Sequence, residues 1–159
     1  MPKVLAVDIG GVLYDNVYWK RRARFVARLS GKSILEVKEI YDRVKRDFYR
    51  GKRKGDLWDE VAKCCGIDET GRFMLSRFFK LKPYNERKRN LKGIEVVKKA
   101  KEKGLRVIAI TDSTRTKNEI LEHWKREFPE FLSFIDEIYS SRDLGKIKDD
   151  GSLFLEVLK

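Results

Sequence analysis

The chain has 159 residues, room for one compact domain or one domain with a small insert, and 42% of them are hydrophobic, enough to build a core. No apolar run is long enough to cross a membrane, and Met1-Pro2-Lys3 leads into a strand-like run rather than a signal peptide, so the expected location is cytoplasmic. The formal charge of +12 favours anionic ligands without naming one. Its cations are spread over several helical stretches (Lys20 to Arg24, Arg50 to Lys54, Arg87 to Lys92, Lys98 to Lys103), and no recognised nucleic-acid motif supports dedicated nucleic-acid binding. Charged residues make up 39% of the chain and glutamine is absent, a pattern of heat-adapted proteins. Cys64 and Cys65 are adjacent and read as reduced thiols near a helix end, while the single histidine, His123, excludes a histidine-rich metal site and reads as an ordinary helix residue.

Residues 3 to 9 predict a short buried strand, closed by Gly10-Gly11. From about 15 to 80 the periodicity turns helical. Trp19, Ala23, Val26 and Leu29 share one face of a first helix. Ser33 and Glu36 form a capping box for a second, whose stripe is Val37, Ile40, Tyr41, Val44 and Phe48. Asp56 caps a third helix carrying Leu57, Val61 and Cys64 or Cys65, with Gly66 as its stop. Asp68 starts a fourth with Met74, Leu75, Phe78 and Phe79. These helices predict a bundle-like insert, with substrate contact by Tyr14, Tyr18 or Trp19 left open. Pro83 marks a return linker. Ile94, Val97 and Ala100 form the face of the next helix, ended by Gly104, and Leu105 to Ile110 form a second strand. Thr116 and Glu119 cap a helix with Ile120, Leu121 and Trp124, bounded by Pro129. Ile135 to Tyr139 predict a third strand, and Ser152 opens a terminal helix with Leu153, Phe154, Val157 and Leu158. The alternation predicts an α/β domain with a parallel sheet.

Chemistry in an open parallel sheet gathers beyond the carboxyl ends of the strands. Asp8 ends the first strand, Thr111, Asp112 and Ser113 follow the second, and Lys146 and Lys148 lie downstream of the third. A carboxylate can attack phosphorus and form an aspartyl-phosphate. A hydroxyl can hold a nonbridging oxygen, and a lysine can neutralise charge on phosphate and nucleophile.

Val4-Leu5-Ala6-Val7-Asp8-Ile9-Gly10-Gly11-Val12-Leu13 resembles the first motif of the haloacid-dehalogenase-like (HAD) hydrolases, and Ile108-Ala109-Ile110-Thr111-Asp112-Ser113 the second. Gly145-Lys146-Ile147-Lys148-Asp149 resembles the third, with Lys148 as its lysine and Lys146 as the fallback, because Asp149 replaces the usual proline. Leu91-Lys92-Gly93, Lys103-Gly104 and the segment Phe134 to Ser141 also sit as in that family. The resemblance implies a HAD-like Rossmannoid α/β core with a parallel sheet over residues 1–14 and 81–159, and an all-helical cap over 15–80. Such caps close over small substrates. It implies Asp8 as nucleophile, with Thr111 and Lys148 stabilising phosphate. Asp112, Ser113 and Gly11 are expected as phosphate-binding. Asp8 and the Gly10 carbonyl are expected on a magnesium ion.

Two departures bear on that expectation. The proton-transferring aspartate of the family's phosphatases falls at Gly10, which has no side chain. Asp15 and Asp112 are carboxylates nearby in sequence. The fourth motif, with its acidic magnesium ligands, would lie beyond Lys159, so the expectation is a chain without the C-terminal part of the usual core and with an incomplete ligand set: a partial chain, a degenerate relative or a protein completed by a partner subunit. The first strand would then form a sheet edge, to be covered by a homo-oligomer or partner subunit. The leading expectation is a phosphatase acting on a small phosphorylated molecule. A noncatalytic HAD-like interaction or regulatory protein, favoured by Gly10, and a haloacid-type dehalogenase are the alternatives.

Overall fold

The computed structural model describes residues 3–15, 17–81 and 88–157, with the side chains of Val17 and Tyr18 excepted. Pro83, Leu158 and the side chain of Tyr18 therefore lie outside the described residues. The chain divides into two compact units. The first comprises Met1–Asp15, Tyr49–Lys52 and Arg89–Lys159, and the second Asn16–Phe48 and Arg53–Lys88.

The first unit is built on three parallel strands in the order β1 (Val4–Val7), β2 (Arg106–Thr111) and β3 (Glu137–Ser140). In register, Val7 stands beside Ala109, and Thr111 beside Ser140. β2 is central, and its buried run Val107 to Thr111 reflects cover on both faces. β1 ends the described sheet, with Val4 49% exposed. Helices α5 (Leu91–Glu102) and α6 (Lys117–Glu127) and a 3-10 turn at Pro129–Ser133 flank the sheet.

The large core cluster joins one sheet face, Val107, Ala109 and Ile138, to Leu13, Val97, Trp124 and Phe131, all buried. Tyr14 belongs to this core and not to a substrate surface. It is 3% exposed, packs on Phe128 and Phe131, and its hydroxyl accepts a hydrogen bond from Trp124 Nε1 at 2.5 Å. A smaller cluster of Ile108, Ile110 and Leu153 covers the other face, Leu153 coming from the short helix α8 (Ser152–Val157). A one-turn helix α7 (Ser141–Leu144) follows β3 and stops at Gly145, whose φ is +65°, a left-handed conformation that glycine adopts without strain.

Thr116 and Glu119 form the expected capping box of α6. Asn90 caps α5 and also holds the loop after β1, its Nδ2 donating to the Gly11 carbonyl at 2.7 Å and its main-chain N–H to the Leu13 carbonyl at 3.0 Å. Gly93 is required where α5 meets that loop, since a Cβ there would overlap the Val12 carbonyl. Tyr49–Lys52 groups with this unit because Arg50 pairs with Asp150 at 2.6 Å and Gly51 packs on Arg142.

The second unit is helical: α1 (Val17–Ser30), α2 (Ile34–Tyr49, its last residue counted with the first unit), α3 (Leu57–Cys64) and α4 (Glu69–Lys80). Ser33 and Glu36 exchange both capping-box bonds, and Asp56 and Asp68 accept the expected main-chain N–H groups. Ala23 and Val26, Val37, Val44 and Phe48, Leu57 and Val61, and Leu75 and Phe79 are buried. Two members of the expected stripes are exposed instead, Leu29 at 56% and Met74 at 61%. In α1 the buried stripe runs through Arg22, Ala23, Val26 and Ala27, one turn edge away from Leu29. Of the cysteines it is Cys65 that is buried, while Cys64 is exposed. Trp19 and Tyr41 meet edge to face with ring centroids 5.8 Å apart.

Candidate active site

Asp8 leaves the carboxyl end of β1, and Thr111 closes β2 beside it, because the two strands run parallel and in register. Lys148 reaches the same end from the loop between α7 and α8. Its Nζ lies 2.5 Å from Asp8 Oδ2. Lys148 rather than Lys146 is thus the lysine that meets Asp8, and Lys146 is exposed. The Lys148 side chain is 20% exposed and that of Asp8 42%, so the pair is reachable by a solute while one partner is largely desolvated.

The loop that carries Lys148 is fixed at several points. Ile147 is 2% exposed, its N–H donates to Ser152 Oγ at 3.2 Å, and the Gly151 N–H donates to the Lys148 carbonyl at 2.9 Å. Asp112 ties the loop to the end of β2. Both of its carboxylate oxygens accept from the Lys148 main-chain N–H, at 3.1 and 3.3 Å. Burial pushes the Asp112 carboxyl above the usual range, opposed by the Lys148 hydrogen bond and charge and reinforced by the charges of Asp149 and Asp8.

The groups expected on phosphate are engaged within the protein. Asp112 accepts from Lys148, and its carboxylate would repel an anion. The Ser113 N–H donates to Ser141 Oγ at 2.9 Å, and its hydroxyl accepts from the Arg115 N–H at 3.0 Å. The Gly11 N–H donates to the Tyr14 carbonyl at 2.8 Å, in a turn that sets Gly11 at φ +82°. The Thr111 hydroxyl has one long contact, 3.4 Å to the Asp112 carbonyl, which leaves it able to donate elsewhere. Ser140 and Ser141, to which sequence reasoning gave no role, are fully buried and brace this end of the sheet: Ser140 Oγ donates to the Arg115 carbonyl at 2.6 Å. A pair of small hydroxyl residues closing a buried strand was the signal available for them.

The expected magnesium ligands are Asp8 and the Gly10 carbonyl. Asp8 Oδ1 accepts the Gly10 N–H at 3.3 Å, and Oδ2 is taken by Lys148. Among the described residues no group of three or more His, Cys, Asp or Glu side chains could hold a metal ion. With Asp8 Oδ2 on the Lys148 ammonium and both Asp112 oxygens on the Lys148 N–H, the carboxylates at this end of the sheet are engaged within the protein and, so arranged, do not fit a magnesium ion. No helix among the described residues is long and apolar enough to cross a membrane.

No family model matches the sequence, and no curated protein does. Among solved structures, the chain is similar to a 2-haloacid dehalogenase from Pseudomonas syringae pv. Tomato DC3000, with a TM-score of 0.53 and 17% sequence identity, over 99% of this chain and 72% of that one. At that identity the likeness concerns the fold: the protein has a HAD-like α/β fold with a parallel sheet.

Proposed function

We propose that the protein is a HAD-like hydrolase that removes phosphate from a small phosphorylated substrate through an aspartyl-phosphate on Asp8. The observation that carries this reading is the 2.5 Å pair between Lys148 Nζ and Asp8 Oδ2 at the carboxyl end of a parallel sheet. In the first step an Asp8 oxygen attacks phosphorus and the bond to the ester oxygen breaks, the leaving group departing with the electron pair. Lys148 neutralises charge on the nucleophile and on the incoming phosphate, and the Thr111 hydroxyl donates to a nonbridging oxygen. In the second step water attacks the phosphorus, releases phosphate and restores the carboxylate. Lys148 and Thr111 accelerate the reaction insofar as they hold the transition state more tightly than the substrate.

The test is phosphate release from a panel of small phosphoesters, in magnesium-containing buffer, by the wild type and Asp8→Asn. Release that disappears in the variant supports the reading, and release that survives in it refutes the nucleophile.

A dehalogenase is the second reading, favoured by the name of the structural neighbour and by Gly10, since a departing halide needs no proton. Asp8 would then attack carbon, and Lys148 would pair with the same carboxylate. Halide release from short 2-haloacids, absent in Asp8→Asn and accompanied by no phosphate release in the first panel, would favour this reading over the phosphatase.

A further inference from the structure

We infer that Asp112 is a positioning residue: it sets the Lys148 ammonium against Asp8 by holding the Lys148 main chain at the end of β2. The inference rests on the proposed use of Asp8 and Lys148, and adds a residue that sequence reasoning had assigned to the phosphate itself.

Three observations carry it. Both Asp112 oxygens accept one donor, the N–H of the residue whose side chain meets Asp8. That bond spans 36 residues and joins the loop between α7 and α8 to the strand that bears Thr111, so it fixes one phosphate-facing group relative to the other. The carboxylate also sits where burial and the charges of Asp149 and Asp8 disfavour it. A position that only needed to fill space would be served better by an apolar side chain, so the acceptor is retained against a local cost. A long lysine side chain has many rotamers, and locking its main chain is the economical way to confine the ammonium. Ile147 and Ser152 fix the same loop from its other side. Asp112 adds the registration to β2.

The experiment reads Lys148 without turnover. Trace labelling of amines in the folded protein, quantified by mass spectrometry, compares Lys148 with the exposed Lys146 in the wild type, Asp112→Ala, Asp112→Asn and Asp8→Asn. Freed from its pair, Lys148 is expected to label about tenfold faster relative to Lys146 in Asp112→Ala and in Asp8→Asn. Asp112→Asn keeps an oxygen acceptor and is expected to stay within about twofold of the wild type. Hydrogen exchange at the Lys148 amide is a second reading that needs no variant for its main result: protection in the wild type is expected. A folded Asp112→Ala protein with unchanged Lys148 labelling overturns the inference, and so does an unprotected Lys148 amide in the wild type. Where activity is found, kcat should fall in Asp112→Ala with KM little changed and return in Asp112→Asn. A purely structural role would lower the melting temperature of both variants without moving Lys148. The two readings fail separately: phosphate release surviving in Asp8→Asn removes the proposed function but leaves the labelling result standing, and an unresponsive Lys148 removes the positioning role but leaves the nucleophile.

Discussion

Asp8, Lys148 and Asp112 form a chain in which a side-chain ion pair is anchored by a side-chain to main-chain bond. The pair predicts unequal lysines: Lys148→Met should lower phosphate release by about 10²-fold or more, as expected for loss of a charge aimed at the transition state, and Lys146→Met should stay within about twofold. Steady-state kinetics on both variants checks this. Gly10 predicts selectivity for the leaving group. With no proton donor at that position, aryl and acyl phosphates, whose leaving groups depart unprotonated, should exceed alkyl esters by about 10²–10⁴-fold, the usual worth of general acid catalysis. A leaving-group series measures the slope, and a flat one would mean that another group supplies the proton. Asp112 gives a pH prediction. Burial raises its carboxyl in the folded state, so the folded protein holds that proton more tightly than the unfolded chain does. The stability this contributes is complete below the unfolded value and is lost as pH rises through the raised folded value. Wild type should therefore lose stability relative to Asp112→Asn between acid and neutral pH, as denaturant melts at several pH values would record. The placement of Asp8, Thr111 and Lys148 at one end of the sheet was legible in the sequence, because strand ends and motif spacing predict it. The engagement of Asp112, Ser113 and Gly11 was not, because partners 25 or more residues away leave no pattern in sequence: the Lys148 N–H donates to Asp112, the Ser113 N–H donates to Ser141 Oγ, and Asn90 Nδ2 donates to the Gly11 carbonyl.

Elements were read from periodicity and caps, and those devices reappear as bonds: Ser33 with Glu36, Asp56, Asp68, and Thr116 with Glu119. Thr116→Ala should cost about 1 kcal/mol, the usual worth of an N-cap side chain, measured by denaturant unfolding. Gly93→Ala should cost more, about 1–3 kcal/mol, because the new methyl displaces the Val12 main chain in the loop after Asp8. The exposed Leu29 and Met74 show where periodicity fell short. It identifies a stripe but not its edges, which depend on how far the neighbouring helix extends. The cysteines illustrate the same limit, since adjacent positions on a helix end point different ways and only packing decides between them. One thiol, Cys64, should react with a maleimide in the folded protein and two after unfolding, and burial pushes the Cys65 thiol up, which slows it further.

At the scale of the whole molecule, alternation of apolar strands with helical stretches was enough to reach a parallel α/β sheet, and the three strands in order bear that out. The grouping of Tyr49–Lys52 with the first unit was hidden, because it depends on Arg50 meeting Asp150 a hundred residues away. The charge of +12 acts at this scale too, by drawing anions toward the protein. The proposed aspartyl-phosphate on Asp8 is a covalent intermediate, and acid-quenched single turnover with a phosphoester would trap it. Peptide mapping of the quenched protein should find a phosphoryl group on the peptide bearing Asp8, absent from Asp8→Asn. Phosphate released in that turnover with no adduct on Asp8, or released equally by the variant, would contradict the mechanism.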